Sequence, residues 1–169
     1  IQTAALAFGG TPPVTAETEE YDGTNWTAGG DMVTARRYCA GCGLQDSALV
    51  FGAGPTAVVK TEMYDGTSWT ETTDMGIAQK AHGGAGLQGT ALSCGGESPS
   101  NTGFVTQEFN RSITVHTTSA WASSGNLGQG RRHGGSAGTS TAALYAGGLP
   151  YKTAAEEYNG STWSDGGNM

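Results

Sequence analysis

Short runs in which apolar and polar residues alternate, each closed by small residues, recur along this chain in a constant order. The run Ala5-Leu6-Ala7-Phe8-Gly9-Gly10 returns as Ala48-Leu49-Val50-Phe51-Gly52-Ala53, as Ala91-Leu92-Ser93-Cys94-Gly95-Gly96 and as Ala143-Leu144-Tyr145-Ala146-Gly147-Gly148, with leucines 43, 43 and 52 residues apart. Such a run predicts a buried strand followed by a turn that tolerates positive φ. A second landmark follows it: Tyr21-Asp22-Gly23-Thr24-Asn25-Trp26, Tyr64-Asp65-Gly66-Thr67-Ser68-Trp69 and Tyr158-Asn159-Gly160-Ser161-Thr162-Trp163. Asp-Gly and Asn-Gly steps between two strands are hairpin turns. In the third copy the landmark decays to Phe109-Asn110-Arg111-Ser112, and Trp121 arrives late, which accounts for the long interval.

A third landmark precedes each leucine: Arg36-Arg37-Tyr38-Cys39, Gln79-Lys80-Ala81-His82 and Arg131-Arg132-His133-Gly134, each leading into small residues. Three landmarks in fixed order at one period define four imperfect repeats. Each repeat predicts four antiparallel strands. Strand a opens on the basic start, b ends at the paired small residues, c ends at Tyr, and d opens on Trp. Glycine in strand a lets backbones approach closely. The chain begins in a strand b and ends at Met169, which aligns with Met32 and Met75. It therefore holds b-c-d and then three full sets, over 1–32, 33–75, 76–127 (with an insertion at 110–120) and 128–169. Fifteen strands are expected where four complete repeats need sixteen, in a single all-β unit.

Composition agrees with many short strands and tight turns: 29 of 169 residues are glycine, without a collagen period, and aromatics are 8%. A net charge of −7 argues against a nucleic-acid partner, which needs a basic surface. No apolar run approaches the ~20 residues of a membrane helix, so no membrane insertion is expected. The opening Ile1 and the lack of a signal peptide are expected of a processed or excised piece. Cys39 and Cys42 form a C-x-x-C without a second pair, so they read as small apolar side chains rather than metal ligands. No metal, cofactor or catalytic residue is expected: His82, His116 and His133 have no metal-binding spacing, and no nucleophile or paired-carboxylate motif stands out.

The order of basic start, double glycine, tyrosine and spaced tryptophan resembles the kelch motif. It is most similar to the Thr/Gly-rich kelch-like repeats of bacteriophage and environmental bacterial proteins. The resemblance implies a β-propeller of four-stranded antiparallel blades, here four with one innermost strand missing. The missing strand would come from a longer array, from a neighbouring copy, or from closure of a four-bladed ring.

The resemblance also implies that partners bind the face carrying the d–a and b–c connections. On this chain that face would present Arg36, Arg37, Tyr38, Lys80, His82, Arg131, Arg132 and His133, five of them among the eight lysines and arginines. A ring of cations on an acidic protein could attract an anionic glycan or a carboxylate-bearing peptide. Alternatively the arginines recur as structure, pairing with carboxylates such as Glu20, Glu62 and Glu157. The four tryptophans could stack on sugars, but their fixed place in the repeat favours packing between blades. The function expected is a non-enzymatic binding or structural module, in a virion or extracellular setting, that attaches or assembles through its loop faces. Its partners would be protein or glycan. The alternatives are a carbohydrate-binding lectin and a peptide-binding adaptor of the kelch type.

Overall fold

A computed structural model describes residues 3–53, 56–99, 103–111, 120–150 and 153–169. Most of the 110–120 insertion and parts of three b–c connections lie outside the described residues. Fifteen strands form four antiparallel sheets in chain order. The first has three, β1 (Ala5–Phe8), β2 (Thr18–Tyr21) and β3 (Trp26–Ala28). The second holds β4 (Ala40–Leu44), β5 (Ser47–Phe51), β6 (Thr61–Tyr64) and β7 (Trp69–Glu71). The third holds β8 (Gly83–Leu87), β9 (Thr90–Cys94), β10 (Thr106–Asn110) and β11 (Ala120–Ser123). The fourth holds β12 (Gly135–Thr139), β13 (Ala142–Ala146), β14 (Ala154–Tyr158) and β15 (Trp163–Asn168). Each sheet is a meander, and among the described residues no strand corresponding to β4, β8 or β12 lies beside β1.

The c–d hairpins form as the sequence predicts, and the side chain after each tyrosine holds the turn. The Asp22 carboxylate accepts from the Thr24 and Asn25 amides (2.7 and 2.8 Å), and Asp65 does the same for Thr67 and Ser68 (2.9 and 2.8 Å). Asn159 substitutes its amide oxygen in the fourth sheet, at 3.0 and 2.9 Å from the Ser161 and Thr162 amides. These are Asx turns, a use that only a short side-chain oxygen can fill. The amides also hold both aspartates below the usual carboxylate range.

Strand a begins later than the basic residues suggest. β4, β8 and β12 start at Ala40, Gly83 and Gly135, because Tyr38, Ala81 and His133 take φ of 57°, 53° and 57°. A left-handed residue interrupts an extended chain. The interruption is put to use between sheets: the Ala81 amide donates to the Tyr38 carbonyl (2.8 Å), and the His133 amide donates to the Ala81 carbonyl (3.0 Å). Equivalent residues of three consecutive repeats are thus joined in a line. Beyond this line β4, β8 and β12 run side by side with almost no space. A Cβ on Gly84 would stand 2.9 Å from both the Gly41 carbonyl oxygen and the Phe51 ring. Close approach of backbones, not backbone conformation, requires glycine there.

The sheets pack face to face in chain order through four apolar clusters at three interfaces. Met32, Val50, Tyr64 and Trp69, with Leu6 and Phe8, join the first sheet to the second. Leu49, Phe51, Met75 and Phe109, with Met63 and Trp121, join the second to the third. Leu92, Ala143 and Tyr158, and separately Cys94, Leu127 and Tyr145, join the third to the fourth, with Trp163 at both clusters. Cys39 packs into the first of these cores and Cys42 into the second, so the two thiols serve opposite faces of one sheet. Burial pushes the Cys42 thiol up to about 12 and raises Cys39 as well, keeping both protonated.

Candidate functional site

Seven of the eight residues expected on one face separate into two layers. Arg36 and Arg131 are inside, 0% and 1% exposed, and their guanidinium groups are held by the chain itself. Arg36 Nη1 donates to the Gly52 and Lys60 carbonyls (3.2 and 3.0 Å), and Nη2 donates to the Glu62 carboxylate. The same carboxylate accepts from the Val33 and Thr34 amides, at 2.8 and 3.2 Å. In the fourth sheet Arg131 donates to the Ala154 carbonyl and to Glu156, both at 2.6 Å, and Glu156 accepts from the Gly128 and Gln129 amides at 2.6 and 3.2 Å. Of the carboxylates expected as partners, only Glu62 is one. Glu20 accepts from the Tyr64 hydroxyl instead, and Glu156, not Glu157, takes Arg131. Strand alternation explains the difference, since neighbours on β14 face opposite sides of the sheet.

The third repeat keeps the arrangement and removes the charge. Gln79 stands where Arg36 and Arg131 do, Gln107 where Glu62 and Glu156 do, and both are fully buried. Gln107 Nε2 donates to Gln79 Oε1 (2.5 Å) and to the Ile77 carbonyl (2.8 Å), while its Oε1 accepts from the Ile77 amide (2.8 Å). Gln79 Nε2 donates to the Gly95 carbonyl at 2.6 Å. Both members changed together, which sequence reasoning could have caught by aligning strand c against the basic start.

The outer layer is solvent-facing. The Arg37 guanidinium lies 5.1 Å from the centre of the Tyr38 ring, and Tyr38 meets the His133 ring edge-on at 6.2 Å. Arg37 also reaches Thr11 Oγ1 at 3.4 Å, across to the b–c connection of the preceding repeat. Arg132 makes the equivalent reach to Glu97, which also binds Lys80 Nζ at 3.0 Å. The Lys80 ammonium, with Arg132 beside it, holds the Glu97 carboxyl below its usual range. This layer therefore brings together Arg37, Tyr38 and His133 on one side and Lys80 and Arg132 on the other.

His82 belongs to neither layer. It is buried against Phe51, with ring centres 5.6 Å apart, and burial drives its pKa down to about 4 against a smaller opposing pull from the Phe51 backbone. At neutral pH it is an uncharged packing residue. Among the described residues no three His, Cys, Asp or Glu side chains converge as a metal site. Among the described residues no helix is long and apolar enough to cross a membrane. No family model matches the chain, and no curated protein matches it.

Two predictions follow from the inner residues. Removing one member of a buried ion pair strands the other charge, so Arg36→Gln or Glu62→Gln alone should cost about 3 kcal/mol or more in urea unfolding. The R36Q/E62Q double variant should cost clearly less than the two singles together, because it reproduces the Gln79–Gln107 arrangement.

For His82, the folded pKa lies below the unfolded value near 6.5. Its stabilising contribution is complete above that value and is lost as pH falls toward 4, where the unfolded chain binds the extra proton first. Between pH 6.5 and 4.5 the Tm of the wild type should fall roughly 5 °C further than that of His82→Leu.

Proposed function

We propose that this chain is a kelch-like β-propeller segment acting as a non-enzymatic structural and binding module, of the kind that assembles or attaches a phage particle or a surface protein. The observation that carries this reading is the complementarity of its two end faces. Between sheets, each tyrosine of strand c donates to a glutamate of the preceding sheet: Tyr64 to Glu20, and Tyr158 to Glu108. Trp69 and Trp163 likewise donate to Thr18 (2.9 Å) and Thr106 (3.1 Å) of the sheet before. Tyr21 and Trp26 are the same positions in the first sheet, Glu157 and Leu144 the matching ones in the fourth.

Those end positions are uncovered. Trp26 is 49% exposed where Trp69 is 5%, and Leu144 is 40% exposed where Leu49 and Leu92 are fully buried. Met169 is 72% exposed where Met32 and Met75 are buried. A fourth-sheet face is thus built to receive the first-sheet face of a second copy. In light scattering the wild type should run at a multiple of 17.1 kDa. Leu144→Lys and Trp26→Lys should each return it to the single-chain mass. A wild type that is monomeric at all concentrations would sink the assembly reading.

A second reading rests on the outer cation layer. Arg37 stacked on Tyr38, with His133 beside it, offers a charge and an aromatic face to an anionic glycan. Glycan-array binding should be lost in an R37A/Y38A variant whose Tm is unchanged within a few degrees. Binding that survives both substitutions would rule the layer out.

A further inference from the structure

The c–d turns of the first, second and fourth sheets share one form, and only the fourth carries an amide in it. Asn159-Gly160 stands where Asp22-Gly23 and Asp65-Gly66 do, and of the six asparagines in the chain it alone precedes a glycine. Gly160, Gly23 and Gly66 take φ of 95°, 97° and 89°, so the turn keeps one backbone with either side chain. Asn159 is exposed. Its Oδ1 accepts from the Ser161 and Thr162 hydroxyls (3.1 and 3.3 Å) as well as from their backbone amides. Among the described residues its Nδ2 donates to nothing, and neither does the Gly160 amide. A Cβ on Gly160 would meet no atom nearer than 3.4 Å, so the turn leaves room around the glycine.

A free, unshielded backbone amide that follows an asparagine can act on that side chain. After losing its proton to hydroxide, the Gly160 nitrogen attacks Asn159 Cγ. The new N–Cγ bond closes a succinimide ring, the Cγ–Nδ2 bond breaks, and Nδ2 takes a proton from solvent and leaves as ammonia. Water then opens the ring at Cγ and leaves an aspartate; opening at the main-chain carbonyl leaves isoaspartate instead. One water is consumed and one ammonia released, with no change of oxidation state. The four donors on Oδ1 oppose the negative charge that gathers there while Cγ is tetrahedral, as an oxyanion hole does.

We infer that Asn159 is a site of spontaneous deamidation, at which this chain exchanges a side-chain amide for a carboxylate with water as the only co-reactant. The fold already holds the product twice. Asp22 and Asp65 make the same two backbone hydrogen bonds at 2.7 to 2.9 Å, against 3.0 and 2.9 Å at Asn159, so aspartate fits without rearrangement. A carboxylate accepts such bonds more strongly than an amide oxygen does. The amides hold Asp22 and Asp65 below the usual carboxylate range, and an ionised carboxylate is a poor target for renewed ring closure. The change therefore runs one way. Isoaspartate lengthens the main chain by one carbon and has no counterpart in the other turns. The new charge stands at the turn between β14 and β15, and its appearance depends on neither the propeller nor the assembly reading.

The test is peptide mapping by mass spectrometry of the full chain aged in mildly alkaline buffer, made with water carrying a heavy oxygen isotope, beside a sample unfolded in urea. Position 159 should convert at least about tenfold faster than any of the other five asparagines, with the heavy oxygen in the new carboxylate. It should convert no more slowly in the folded chain than in urea, because the turn's donors assist the addition. The Asn159→Asp variant should co-elute with the aged aspartate form on anion exchange and keep the wild-type Tm within about 2 °C. Asn159→Ala, which removes the acceptor, should lose several degrees. Slower conversion in the folded chain than in urea, conversion at 159 no faster than at the other asparagines, or an Asn159→Asp variant as unstable as Asn159→Ala overturns the inference.

Discussion

Much of this structure depends on one buried polar contact made three times: the side chain of residue 36, 79 or 131 against strand c of its own sheet. Its backbone faces the other way. The carbonyls of Arg36, Gln79 and Arg131 accept from the amides of Gly10, Ala53 and Gly96 in the preceding sheet, at 3.0, 3.1 and 2.8 Å. One residue therefore fastens the linker, the inner strand and the neighbouring sheet. The glycine just before each of those amides is bound to the same point. Gly9, Gly52 and Gly95 take φ of 66°, 67° and 71°, and a Cβ there would lie 2.6 to 2.8 Å from the same carbonyls. The double glycine and the basic start are thus two sides of one contact.

Burying an arginine is costly unless every donor is met and the charge is opposed. The fold opposes the charge with a carboxylate seated on two backbone amides of the linker, so the ion pair also closes a turn, although Arg131 Nε is buried without a partner. The Gln79–Gln107 version joins the same three places with no ionic cost, with Gln107 now donating to Gln79 and exchanging two hydrogen bonds with the Ile77 backbone. The contact's role is therefore geometric satisfaction more than Coulombic gain. Charge is interchangeable here and shape is not.

The same substitution in pairs runs through the sheet interfaces. Where Tyr64 meets Glu20 and Tyr158 meets Glu108, the middle interface has Phe109 and Met63, both apolar. The tryptophan bond is lost at that interface too: Trp121 Nε1 and Thr61 Oγ1 are both buried without a partner, and Trp121 instead packs on Phe51 and Phe109 at 5.1 and 5.2 Å. The second-to-third interface is a dry variant of the other two. Trp121 nevertheless stands opposite Phe109 on β10–β11, as Trp69 stands opposite Tyr64, so the longer hairpin leaves its register unchanged.

The repeat, its strands and the three-stranded first sheet were legible in the sequence because glycine, Asx turns and alternation act within a few residues of chain. The pairing of side chains across strands was legible only in part. Choosing Glu156 over Glu157 requires knowing which way β14 faces, and a bulge between Ala155 and Glu156 in its pairing with β15 lies at that point. The split of the basic residues into a buried and an exposed layer was not legible, since it follows from left-handed turns at Tyr38, Ala81 and His133 that their residue types do not announce. His82 misled for the opposite reason: it is polar by type, but its slot is the one filled by Cys39 and Gly134.

What the repeat leaves unfinished also constrains how it can be finished. Each sheet offers a strand-c aromatic (Tyr or Phe) and a tryptophan to the sheet before it, and a leucine with glutamate or methionine to the one after, so its two faces are unlike. Joining such faces is heterologous: head meets tail, and a two-fold dimer through like faces gains none of these contacts. Head-to-tail contacts either close a ring or continue as a filament, according to the rotation between successive sheets.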